Sequence, residues 1–298
     1  MKKPSITRRV AVLAAASLSF LAACGGSDTA TDTTAPADAV ESVRIVSLSP
    51  TATEMLYAIG AGDQVVAVDS LSNWPAEAAG KLTEISAYEP SAEAILGYEP
   101  DLVLISNDMN KISEQLTAAN PAIKVWTGAA AASLDDVYRQ IGELGAATNR
   151  VEAADALVAD MKSRIEAATA GVTAPEGASY FYELDNTLYS VTSNTFVGSL
   201  LKSMGIANIA DGVEEGNDYP QMNAEAIIKA NPTVIFLADT KCCGQNAAEV
   251  AKRPGWSGID AVKNGNVIEL DDDIASRWGP RVVDLVTRMA EAITALQK

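Results

Sequence analysis

Apolar residues in this chain fall into two patterns. One is a set of short, continuous runs rich in Val, Ile and aromatic residues: RIVSLS (44–49), QVVAVD (64–69), DLVLIS (101–106), IKVWTG (123–128), ASYFYEL (178–184), TVIFLA (233–238) and NVIELD (266–271). Runs of this length, bounded by Gly, Pro, Asn or Asp, predict buried strands. LYSVT (188–192) reads as a further short strand. In the other pattern, apolar positions recur at three- and four-residue spacing. It appears after Pro50, where TATE (51–54) fits a capping box ahead of Met55, Leu56 and Ile59. It returns in SAEAILGYEP (91–100), ISEQLTAA (112–119), FVGSLLKSMG (196–205), NAEAIIKANP (223–232) and the terminal RVVDLVTRMAEAITALQ (281–297). Strands alternating with helices predict mostly parallel sheets covered on both faces.

The alternation stops once. From 135 to about 171 no strand signal appears, and Val137, Ile141, Leu144, Leu157, Met161 and Ile165 keep helical spacing. TNR (148–150) breaks this stretch into two helices. The second would be roughly 30 Å long. The fold expected is therefore α/β: a first lobe over 43–150, a linking helix over 151–172 and a second lobe over 173–298. The lobes share a phrase. SAEAILGYEPDLVLI (91–105) and NAEAIIKANPTVIFL (223–237) carry Glu93 and Glu225 at the same distance before Pro100 and Pro232. Short helix, proline, buried strand is a common sequence in α/β proteins. Identical spacing and matching position within each half nevertheless favour a duplicated lobe.

The start of the chain changes the picture of where the protein works. Lys2, Lys3, Arg8 and Arg9 precede an apolar run (10–23) and then LAAC, ending at Cys24. A basic start, a short apolar run and small residues describe a secretory leader, too short to remain as a membrane span. LAAC resembles a bacterial lipobox, which implies cleavage before Cys24, diacylglycerol on its sulfur and anchoring on the extracytoplasmic face of the cell membrane. TRRVAV leaves the choice between twin-arginine and general export open. The stretch after Cys24, to residue 42, is rich in Gly, Ser, Thr, Asp, Ala and Pro and reads as a flexible tether. The organisation expected is thus leader 1–23 and tether 24–42 ahead of the lobes.

Charge and composition then exclude chemistry. The formal net charge of −17 becomes −21 once the leader's four basic residues are removed. Such an acidic chain is a poor match for nucleic-acid phosphates. There is no histidine, which removes the commonest metal ligand and general base. No GxSxG, phosphate loop or metal-ligand cluster is present, so the expectation is a binding protein, not an enzyme, with no resident metal or cofactor. Of the three cysteines, two are adjacent, Cys242 and Cys243. A vicinal disulfide, two free thiols and an intermolecular bridge are all open for them.

In doubly wound sheets, ligands bind beyond the carboxyl ends of the strands. The candidates there are Ser49, Pro50, Thr51, Trp74, Tyr88 and Asn107 in the first lobe, and Tyr189, Tyr219, Asp273, Arg277 and Trp278 in the second. Each aromatic could instead pack in a core, and Arg277 could pair with Asp271 or Asp272 at the surface. The contiguous acids 271–273 could simply cap a strand end.

Four segments, RIVSLSPTATEMLYAIGAGDQVVAVD, AEAILGYEPDLVLIS, YPQMNAEAIIKANPTVIFLA and IASRWGPRVVDLV, resemble the substrate-binding proteins of ABC importers for vitamin B12 and iron–siderophore complexes. The resemblance spans residue 44 to the C-terminus. It implies two Rossmann-like lobes joined by one long helix, a ligand cleft between them and a monomer that docks on an ABC permease dimer. Glu93 and Glu225 match the family's docking glutamates; a carboxylate in a helix's first turn is also favoured by the helix dipole. Tyr88, Tyr189 and Tyr219 stand where the B12 branch places ligand-contacting aromatics, and Asp273 and Arg277 where it places a polar pair. The departure is tyrosine in place of tryptophan. The ligand implied is a corrinoid, with a ferric siderophore or haem as the alternative. A tethered ligand sensor without transport is the reading from another class.

Overall fold

The computed structural model describes residues 43–297, so the leader, Cys24 and the tether lie outside the described residues. The first lobe runs β1 (Ile45–Leu48), α1 (Pro50–Ala58), β2 (Val65–Val68), α2 (Ala76–Ala79), α3 (Ala92–Leu96), β3 (Leu102–Ile105), α4 (Ile112–Ala119), β4 (Lys124–Thr127) and α5 (Leu134–Ala147). Then comes α6 (Val151–Thr169). The second lobe runs β5 (Ser179–Glu183), α7 (Phe196–Ser203), β6 (Ala207–Asn208), α8 (Ala224–Ala230), β7 (Val234–Leu237), α9 (Ala247–Lys252), α10 (Asp260–Lys263), β8 (Val267–Glu269), α11 (Asp272–Ala275) and α12 (Val282–Ala295).

Each lobe holds a four-stranded, all-parallel sheet. The orders are β2-β1-β3-β4 and β6-β5-β7-β8. These are the same order, with β3 and β7 in equivalent third positions. The repeated phrase supplies the helix and strand at that place in each lobe: α3 with β3, and α8 with β7. Every residue of β1, β3 and β7 is buried, as continuous apolar runs covered on both faces require. The LYSVT run does not form a strand; Tyr189 makes a single antiparallel bridge to Gln221. The position beside β5 that it could have filled is taken by the two-residue β6.

Between α5 and α6 the chain turns at Asn149, which adopts a left-handed backbone (φ 56°) suited to asparagine. The helix that follows is about 28 Å long. It buries Ala154 and Met161 and leaves most of its remaining surface exposed or half-buried. One continuous core joins the lobes. Ile45 and Leu104 of the first sheet and Tyr180 and Phe236 of the second share it with Met161 of α6 and with Leu285 and Met289 of α12. Separate apolar clusters cover the far face of each sheet.

A buried ion cluster crosses the same boundary. Helix α1 starts two residues earlier than the capping box predicts. Pro50 takes the first helical position and Ser49 is the cap, its side chain accepting from the Ala52 N–H. Glu54 therefore has no capping role and sits inside, 2% exposed. Its carboxylate accepts from Arg277 Nη1 at 2.9 Å and from Arg281 Nε at 2.8 Å, both from the second lobe. Arg277 also donates to Asn73 Oδ1 (3.0 Å), the Leu71 carbonyl (3.1 Å) and Asp273 (2.9 Å). Arg277 is thus only partly exposed and claimed from four sides, with no pairing to Asp271 or Asp272 at the surface.

The second lobe buries another acid pair. Glu183, at the end of β5, accepts a bidentate bond from Arg253, which stacks on Trp256 at 4.5 Å. Asp239, just past β7, is fully buried, and neither of its oxygens meets a donor. Burial first, and then the negative charge of Glu183, pushes Asp239 up to about 7.

Two outcomes follow. Glu54→Gln leaves Arg281 without a counter-charge and Arg277 with Asp273 alone, and should cost about 3–5 kcal/mol in denaturant unfolding. A loss of about 1 kcal/mol or less, the worth of an exposed pair, would remove its anchoring role. Asp239 keeps its proton in the fold up to about 7 but releases it near 3.8 when unfolded. Its contribution is therefore fully present below that lower value and is lost as pH rises through about 7. Asp239→Asn should flatten this decline and be more stable than the parent at pH 8, measured by thermal midpoints across the range.

Candidate functional site

Parallel sheets expose the carboxyl ends of their strands on one edge, and the loops there build the site. In the first lobe, Pro50, Tyr88 and Asn107 line a small cavity of about 90 Å³ together with Asp69, Leu71 and Ser106. Burial pushes the Asp69 carboxyl above its ordinary range. Tyr88 is set on a short turn in which Ser86 Oγ accepts from the Tyr88 and Glu89 N–H groups, both at 3.1 Å. Ser49 and Thr51 are buried beneath this surface. Ser49 Oγ takes a 2.8 Å bond from Ser106 Oγ, tying the loop after β1 to the loop after β3.

A second cavity, of about 230 Å³, lies between the lobes. Ala130 and Ala131, after β4, form its first-lobe wall. Tyr182, Leu184, Val191, Phe196, Val197 and Tyr219 form its second-lobe wall, and Ala275 to Trp278 close it. Tyr219 is held by its loop. Thr192 Oγ1 (2.6 Å) and Asn194 Nδ2 (3.0 Å) both donate to the neighbouring Asp218, and these bonds keep that carboxyl below its ordinary range. Phe196 begins α7, which Thr195 caps through the Gly198 N–H. Gly198 has to be glycine, because a Cβ there would overlap the Thr192 carbonyl oxygen. That contact seats α7 against the turn at 192–194 and puts Phe196 and Val197 on the wall.

The sequence candidates thus divide. Pro50, Tyr88 and Asn107 share one cavity, and Tyr219, Arg277 and Trp278 share the other. The Arg277 bond to the Leu71 carbonyl joins the two walls. Trp278 is half-buried, and its Nε1 donates to Gln140 Oε1 across the lobes at 2.9 Å. Asp273 accepts from Arg277, Asn73 and Lys241. Burial alone would raise it, but the Lys241 bond and the Arg277 charge hold it below its ordinary range. Trp74 lines neither cavity. It lies in a broad open groove on the flank of the first lobe, with the Arg281 guanidinium 4.8 Å over its ring. Tyr189 is exposed beside the Gln221 bridge and lines neither cavity. The exposed aromatic side chains among the described residues are Trp74, Tyr88, Tyr189 and Tyr219, each a sequence candidate. The reading missed Leu184, Val191, Phe196 and Val197. Their signal is ordinary strand and helix hydrophobicity, which does not distinguish a cleft wall from a core.

Glu93 and Glu225 stand in the first turns of α3 and α8, capped by Ser91 and Asn223. Both are exposed, and neither has an ion-pair partner among the described residues. Among the described residues there is also no cluster of three or more metal-ligating side chains, and no helix long and apolar enough to cross a membrane.

Comparison with known proteins matches this geometry. The chain is 34% identical over 260 residues to the uncharacterized ABC transporter substrate-binding lipoprotein YvrC of Bacillus subtilis, covering 85% of this chain and 80% of that one. It is 30% identical over 260 residues to a cobalamin-binding protein of Halobacterium salinarum, covering 85% and 69%. The solved structure of the periplasmic heme-binding protein RhuT of Roseiflexus sp. RS-1 superposes with a TM-score of 0.73 at 27% identity, covering 86% of this chain and 100% of that one. These are binding proteins rather than enzymes. Residues 45–274 match the family described as periplasmic binding protein, and the chain belongs to that family.

Proposed function

We propose that this protein is the extracytoplasmic binding component of an ABC importer and that its ligand is a corrinoid. The observation that carries the ligand choice is the commitment of Arg277. The arginine in the cleft wall is spent on Glu54, Asn73, Leu71 and Asp273, and Lys241 at the rim is spent on Asp271 and Asp273. An anionic siderophore would have to compete with those partners for charge. A broad, largely neutral ligand fringed with amides would not. The remaining wall is aliphatic and aromatic, which suits such a ligand. The interlobe cavity, at about 230 Å³, is smaller than pockets that enclose a drug-sized ligand, roughly 300–1,000 Å³. A macrocycle would therefore lie across the cleft with one edge inserted and Tyr88 and Tyr219 at the rim.

Haem is the second reading, favoured by the exposed Tyr219 hydroxyl, which could serve as an axial ligand. Calorimetric titration with cyanocobalamin, cobinamide, a ferric siderophore panel and haem separates the readings. One-to-one corrinoid binding is expected. Binding of siderophore or haem alone would overturn the ligand while leaving the importer role. In the corrinoid case Tyr219→Ala should weaken binding about tenfold or more, as truncation of a central aromatic anchor does. The exposed, unpaired Glu93 and Glu225 supply the docking contacts for a two-fold permease. The double variant Glu93→Ala, Glu225→Ala should keep ligand affinity and lose uptake in cells. Unimpaired uptake would remove the docking role from these two glutamates.

A further inference from the structure

The loop from 239 to 246, between β7 and α9, carries Cys242 and Cys243. Both thiols are free; Cys242 is exposed and Cys243 is half-buried. The loop is held from one side by a single carboxylate, Asp272, the first residue of α11. Asp272 accepts from Thr240 Oγ1 (2.9 Å), the Lys241 N–H (2.9 Å) and the Cys242 N–H (2.8 Å). From the other side the Cys243 N–H donates to the Asp239 carbonyl at 3.3 Å. The next residue of α11, Asp273, accepts from Lys241 Nζ (3.0 Å) and Arg277 (2.9 Å), and Arg277 holds Glu54 of the first lobe. The thiol pair thus lies at one end of a continuous chain of polar bonds that ends at the interlobe anchor.

We propose that Cys242 and Cys243 form a thiol–disulfide exchange site, and that closing it detaches the loop from Asp272 and weakens the hold of Arg277 on Glu54. The oxidant is a disulfide, RSSR. One cysteine thiolate attacks it, the S–S bond breaks, a mixed disulfide forms and one RSH leaves. The neighbouring sulfur then attacks the protein-bound sulfur and expels the second RSH. The two thiol protons leave with the two RSH molecules; the protein gives up two electrons and the oxidant takes them. Either sulfur can make the first attack, and the adjacent one is placed to resolve the mixed disulfide. The product is an eight-membered ring around the Cys242–Cys243 peptide. That ring reorients its own peptide, whose N–H on Cys243 now meets the Asp239 carbonyl, and turns the adjoining Lys241–Cys242 peptide, whose N–H now meets Asp272, so closure and the present anchoring compete.

The test treats the full chain with excess hydroxyethyl disulfide. It then measures the mass of the tryptic peptide 242–252 and the thermal midpoint. The expected result is a peptide lighter by two hydrogens and a midpoint lowered by about 2–4 °C, both reversed by reductant. The variant Cys242→Ser, Cys243→Ser should show no shift with oxidant. Asp272→Asn should start lower and fall less on closure. Mixed disulfides on either sulfur, a disulfide-linked dimer or unreacted thiols would overturn the exchange site. A closed peptide with an unchanged midpoint would overturn the link to the anchor.

Discussion

The position of the two lobes depends on one buried carboxylate. Glu54 is almost fully removed from water, and a charge there is tolerated only because Arg277 and Arg281 meet it with short, directional bonds. The partners come from opposite lobes, so the electrostatic requirement is also a geometric one. If the lobes separate, Glu54 and Arg281 lose their partners and Arg277 is left with Asp273 alone. The shared apolar core gives the lobes adhesion without direction. The ion cluster adds direction, because guanidinium forks accept few geometries. A cleft wall built on this cluster has its shape set before any ligand arrives.

This explains how one arginine can line a cleft and still be unavailable as a free cation. Arg277 shows only a small part of its side chain and spends it on four acceptors. What the cleft wall offers is therefore apolar area and shape. The Asp218 bonds anchor the loop that carries Tyr219, and the Thr195 cap seats the start of α7 at Phe196. Glu93 and Glu225 are arranged on the opposite logic. Among the described residues they stay exposed and without an ion-pair partner, in the first turns of α3 and α8.

The second lobe keeps its own tension close to the same network. Glu183 takes both guanidinium donors of Arg253 and leaves the neighbouring Asp239 carboxyl without one, and the Cys242–Cys243 loop is wrapped over Asp239 through its backbone carbonyl. Asp272 then connects that loop to α11. Groups that look unrelated along the chain, an acid pair, a dithiol and a run of three aspartates, form one polar ridge at the carboxyl ends of β5, β7 and β8. Each member constrains the next because carboxylates out of water need donors, and here the donors belong to neighbouring loops.

Hydrophobic period and punctuation alone determined the strand and helix succession, the two lobes and the linking helix, because burial on both faces of a parallel sheet leaves a continuous apolar signature. The repeated phrase likewise marked the equivalent places of α3 and α8. A large ring in a polar loop is conspicuous, and Tyr88 and Tyr219 do line cavities, but Trp74 and Tyr189 carry the same signal and line neither. Glu54 was not legible. Its neighbours spell a capping box, and only the approach of α12 from a distant part of the chain turned a local signal into a buried anchor. The fate of Arg277 and the walls supplied by Leu184 and Phe196 were likewise decided by tertiary packing. Charges and apolar side chains show what they need in the sequence, but which distant group satisfies that need depends on how the two sheets are brought together.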